Sequence, residues 1–124
     1  MGTGPRVSRP PIEPGQVWFV DFEPVRGHEQ GKDRPALVIS SQFHLDVTRN
    51  RLVSVLPLTS VERRDWMHHV HVASARGWVI TEQIRTVSSE RFRRHAPELA
   101  LSGAELHEVQ HVLAQMLLGL RRDP

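Results

Sequence analysis

The sequence predicts a mainly β domain of the α+β type, closed by a C-terminal helix, and three observations predict it. Short runs rich in Val, Ile, Leu and Trp recur between residues 16 and 84, punctuated by Gly, Pro and charged connections. Ser102, followed three residues later by Glu105, forms a capping signature ahead of apolar residues at helical spacing. A length of 124 residues fits one domain with a single core.

Residues 1–13 are rich in Gly, Pro and Arg without apolar periodicity, and read as a disordered basic tail. The run QVWFVDF, Gln16 to Phe22, alternates as a half-buried strand does, and ALVIS, Ala36 to Ser40, reads as a strand buried on both faces. Strands are expected over 16–22, 35–40, 51–57, 69–73 and 77–84. The connections 41–50 and 59–67 are long for hairpins, which marks them for ligand contact. Ser88 to Arg94 suggests one or two helical turns. In the last helix, Leu106, Val109, Leu113, Met116, Leu117 and Leu120 form the apolar stripe. One domain over 14–120 with a short tail at 121–124 follows. About five short strands closed by one helix suggest a small barrel.

Sixteen basic residues stand against fourteen acidic ones, and Lys32 is the sole Lys, so the rest are Arg. A net charge of +2 does not argue for nucleic acid by itself. Position is more telling. Arg26, Lys32, Arg34, Arg49, Arg51, Arg63, Arg64 and Arg85 fall in or beside predicted loops and strand ends, where guanidinium groups can pair with phosphate oxygens. The absence of Cys excludes a disulfide framework and thiolate metal sites. With no secretory segment and no apolar run of membrane length, a soluble cytoplasmic protein is expected, without a membrane partner.

The segment PVRGHEQGKDRP, Pro24 to Pro35, concentrates chemistry between two strands. Its glycines permit close backbone approach to a ligand, and the flanking strands can hold Arg26, His28, Glu29 and Gln30 in place. Followed by VSVLPLTS (Val53 to Ser60), EQIRTVS (Glu82 to Ser88) and a terminal helix ending in LLGL, it resembles the MazF/PemK family of toxin endoribonucleases over roughly Pro14 to Leu120.

The resemblance implies an SH3-like barrel, a homodimer, an acidic segment of a cognate antitoxin as partner, and single-stranded RNA, specifically mRNA, as substrate. It implies no cofactor and no metal. The enzyme would be the toxin half of a type II toxin–antitoxin pair, a sequence-selective, metal-independent mRNA interferase. Cleavage by the 2′-hydroxyl would leave a 2′,3′-cyclic phosphate and a 5′-hydroxyl. Such a reaction needs in-line positioning, charge stabilisation on the phosphorane and two proton transfers. Arg26 and Thr59 match the two family residues to which catalysis is attributed. A guanidinium offers forked donors and a hydroxyl one more. His28, the one loop group that titrates near neutrality, and Glu29 are both candidates for proton transfer, and the general base stays open between them. Gln30, Lys32, Arg34, Ser60, Glu82, Gln83, Arg85 and Trp66 complete the expected RNA-binding set. One branch of the family carries an Arg where this chain has Ile80, so a catalytically inactive RNA- or antitoxin-binding module is an alternative. A gyrase-poisoning toxin of the same fold is another, against which the presence of both Arg26 and Thr59 argues.

Two His groups imitate metal sites. His107-Glu108-Val109-Gln110-His111 spells H-E-x-x-H, but no third ligand follows, and both His lie opposite the apolar stripe with Ala114 and Leu118, facing solvent or a second chain. His68, His69 and His71 are expected as surface imidazoles, since strand alternation lets at most two share a face. Trp18, Phe19, Phe22 and Trp78 are expected in the core; Trp66, in a loop beside Arg63 and Arg64, is the exception.

Overall fold

Apolar residues on alternate positions of the first three strands face opposite sides of one sheet, and both sides are covered. Trp18, Val20, Ala36, Val38, Val53 and Val55 enter one core cluster; Val17, Leu37, Leu56 and Leu58 enter the other. The computed structural model describes residues 10–22, 33–62 and 68–121. Within them run β1 (Val17–Asp21), β2 (Asp33–Val38), α1 (Gln42–Val47), β3 (Leu52–Thr59), β4 (Val70–Val72), β5 (Gly77–Val79), β6 (Arg85–Ser88), β7 (Phe92–His95) and α2 (Gly103–Leu118). Short 3-10 turns cover Ser89–Arg91 and Pro97–Leu99.

The seven strands pair antiparallel in the order β4-β5-β3-β2-β1-β7, with β6 also on β3. The mainly β architecture with a C-terminal helix thus stands, with seven strands rather than about five and a pairing path that stays open. β3 is the organising strand. On one side it holds β2; on the other it holds β6 from Leu52 to Val55 and β5 at Leu58 and Thr59. Pro57, which has no N–H to give, falls in the gap between those two outer partners, where a central strand tolerates it. The expected continuous strand 77–84 therefore breaks at a turn beginning at Thr81, because β5 and β6 must each reach a different half of β3.

Two further readings are corrected. The connection 41–50 contains α1, capped by Ser41, whose Oγ accepts the His44 N–H at 3.2 Å. It ends at Arg49 and Asn50, two successive left-handed residues with φ of 54° and 59°. Ser88–Arg94 holds one helical turn, as expected, in 3-10 form at Ser89–Arg91, and β7 begins directly after it at Phe92. Ile12, assigned to the tail, is buried in the first cluster. The capping box at Ser102 and Glu105 is present, and Gly119 closes α2 at φ 69°. In α2 the buried residues are Val109 and Val112, flanked by partly buried Leu106, Leu113 and Met116. Leu117 and Leu120, expected in the stripe, are exposed. No helix among the described residues is long and apolar enough to cross a membrane.

Candidate active site

The end of β3 supplies the centre of the site. Thr59 and Ser60, with Leu58 before them and Val61 after, line a groove of about 360 Å³ together with Arg34 and Pro35 of β2, Ala75 and Gly77 of the β4–β5 hairpin, and Leu99. Pairing of β2 with β3 brings Arg34 and Thr59, far apart in sequence, to the same end of the sheet. The Thr59 Oγ1 accepts the Val61 N–H at 3.1 Å. That bond occupies one acceptor position and leaves the hydroxyl proton to be donated.

The hairpin wall is fastened to the start of α2. Ala73 N–H donates to Glu105 Oε2 at 3.0 Å, Ser102 N–H donates to Oε1 at 2.9 Å, and Ser74 Oγ donates to the Ala100 carbonyl at 2.7 Å. The Ser102 amide first, and the Ala73 amide second, hold the Glu105 carboxyl below the usual carboxylate range.

Glu82 and Gln83 sit on the turn between β5 and β6, and Arg85 begins β6; none of the three lines the groove. The Arg85 guanidinium lies 4.9 Å over the Phe22 ring and donates to the Phe22 carbonyl at 3.5 Å, one residue past the end of β1. At the adjoining ends of β1 and β2, Asp21 pairs with Asp33, and Arg93 of β7 reaches both carboxylates, at 3.1 and 4.0 Å. Sequence reasoning missed Arg93 because β7 itself was not visible. Arg26, His28, Glu29, Gln30, Lys32 and Trp66 lie outside the described residues.

The imidazoles divide. His69, expected at the surface, has a side chain only 3% exposed, with Nε2 3.7 Å from Glu82 Oε1. His71 is exposed and tilts against Trp78, ring centroids 5.2 Å apart. His107 is exposed and His111 half-buried. Among the described residues no three His, Cys, Asp or Glu side chains gather as a metal site. Trp18 and Phe22 are in the core as expected, whereas Phe19 is half-buried beneath Arg94 at 4.6 Å.

The family model of the PemK-like, MazF-like toxin of type II toxin–antitoxin systems matches residues 13–117. The chain is 33% identical to the endoribonuclease MazF9 of Mycobacterium tuberculosis over 109 residues, covering 80% of this chain and 90% of the relative. It is 29% identical to the endoribonuclease EndoA of Bacillus subtilis over 86 residues, covering 64% of this chain and 73% of that one. A MazE–MazF crystal structure from Deinococcus radiodurans superposes with a TM-score of 0.69 at 28% identity, covering 86% of this chain and 96% of the other. An endoribonuclease solved with its cognate antitoxin from a mycobacterial species shares the fold, with a TM-score of 0.68 at 20% identity over 90% of this chain and 99% of that one. With a match that spans the sheet, the groove and most of α2, the chain belongs to the PemK-like, MazF-like toxin family of type II toxin–antitoxin systems.

Proposed function

We propose that the chain is a metal-independent endoribonuclease that cleaves single-stranded RNA, mRNA in the cell, as the toxin of its pair. The observation that carries this reading is the Thr59 hydroxyl, oriented by Val61 and lining one groove with Ser60 and Arg34. A phosphodiester in that groove meets a hydroxyl donor and a guanidinium, which suits stabilisation of a phosphorane. The substrate's 2′-oxygen attacks the adjacent phosphorus in line, the O2′–P bond forms and the P–O5′ bond breaks. His28 or Glu29 takes the 2′ proton, and solvent water gives one to the departing 5′-oxygen. Arg26 neutralises the charge that builds on the non-bridging oxygens. Gln30, Lys32, Glu82, Gln83, Arg85 and Trp66 bind the flanking nucleotides. The relatives MazF9 and EndoA, both named endoribonucleases, support the reaction class.

The solved relatives bound to antitoxins support a cognate antitoxin as protein partner. A second copy of this chain is the other partner, supported by Leu117, Leu118 and Leu120 left exposed at the end of α2. The site of action is the cytoplasm, where mRNA is found. The test is incubation of the purified chain with RNA in EDTA, followed by mapping of the new ends. Cleavage in EDTA with 2′,3′-cyclic phosphate and 5′-hydroxyl termini is expected; activity that appears only with added divalent metal refutes the mechanism.

A further inference from the structure

Gly77, the first residue of β5, faces the carbonyl of Thr59. A Cβ at this position would stand 2.5 Å from the Thr59 oxygen, 3.3 Å from its carbonyl carbon and 3.6 Å from the Ser60 Cα. These neighbours are backbone atoms, which cannot rotate away, so any side chain here must displace the Thr59–Ser60 peptide. The hairpin that delivers Gly77 has little freedom to yield. Arg76 before it is left-handed at φ 50°, Arg76 N–H donates to the Ala73 carbonyl at 3.1 Å, and Ala73 and Ser74 are tied to Glu105 and Ala100.

We propose that Gly77 is a positioning residue for Thr59: by lacking a side chain it lets β5 seat directly on the Thr59 carbonyl, fixing where the Thr59 hydroxyl stands in the groove. This rests on the proposed role of Thr59 in cleavage. The geometric part does not. Gly77 also lines the groove, but a Cβ there would point at the Thr59–Ser60 peptide that carries the hydroxyl, so its effect belongs in the chemical step more than in binding.

The experiment is Gly77→Ala, with Val53→Ala as a control that weakens the other core cluster far from Thr59. Two readouts are taken, steady-state RNA cleavage and the amide resonances of Ser60 and Val61. A shift of a few tenths of an ångström at the hydroxyl should lower kcat about tenfold with KM within about twofold. The Val61 resonance should move in Gly77→Ala and stay in place in Val53→Ala. Unchanged kcat together with an unchanged Val61 resonance overturns the proposal. So does an equal kcat loss in a Val53→Ala protein of matching melting temperature. If Gly77→Ala does not fold, Ser74→Ala decides by the same readouts, since it frees the hairpin while keeping Gly77: a shifted Val61 resonance with lower kcat supports the proposal, and wild-type values in both overturn it. A wild-type chain that cleaves no RNA refutes the proposed function, and the Val61 resonance then still decides the role of Gly77.

Discussion

The Val61 amide donates to the Thr59 hydroxyl oxygen at 3.1 Å, so the residue two places beyond the end of β3 aims the side chain expected to meet the scissile phosphate. Thr59→Val, which keeps the shape and removes the hydroxyl, should lower kcat about a hundredfold with little change in RNA affinity. Thr59→Ser should retain most of the rate. Arg26→Ala should match the loss of Thr59→Val, and Arg26→Lys should not restore it, because an ammonium lacks the guanidinium fork. Near-wild-type turnover in Thr59→Val or Arg26→Ala removes that residue from the mechanism.

Arg93 holds Asp21 at 3.1 Å, with the Asp21 carboxylate only 14% exposed and Arg93 47% exposed. Arg93→Ala leaves Asp21 and Asp33, cross-strand partners of like charge, facing each other. The expected cost is about 1 kcal/mol, a melting temperature lower by about 4 °C, and a deficit that narrows as salt rises. A salt-independent deficit would assign the loss to packing of the Arg stem.

Glu105 links stability to acidity. Its folded pKa is depressed below 4.5 by the Ser102 and Ala73 amides, so its contribution is present above that ordinary value and is lost as pH falls through the folded one. Urea midpoints of wild type and Glu105→Ala should therefore differ at pH 7 and converge in the acid range. Parallel curves down to pH 3 would show that the carboxylate charge plays no part.

His107 and His111 sit one turn apart on α2, exposed and half-buried, outside the groove lining. Replacing both with Ala should leave cleavage essentially unchanged, and metal analysis of the purified protein should find no stoichiometric zinc. Zinc lost together with activity in the double variant would place the reaction on α2 instead.

Much of this architecture is legible in the sequence where one physical rule dominates. Alternation exposes β1, both-face burial exposes β2, and the Ser102–Glu105 pair marks the start of α2. Elsewhere the rule is overridden. α1 buries only Leu45, so six residues leave no stripe to detect. In β7 the register against β1 shifts between Phe19 and Val20, and Arg93 and Arg94 are both exposed, which erases the period of two. His69 looks like a surface residue beside two others, but its burial is set by packing that alternation does not encode. Thr59, Ser60 and Arg34 were nameable in advance through the motifs that carry them. Their neighbours Ala75, Gly77 and Leu99 were not, because hairpin seating and a 3-10 turn bring them there from elsewhere in the chain.

β3 begins among the residues of one core cluster, at Val53 and Val55, passes into the other at Leu56 and Leu58, and ends at Thr59. Melting either half of the molecule must therefore release the same strand, and the groove inherits the cooperativity of the whole domain. The end of β3 should therefore lose its order together with the sheet in a single transition, with no intermediate in which both clusters hold while Thr59 is released.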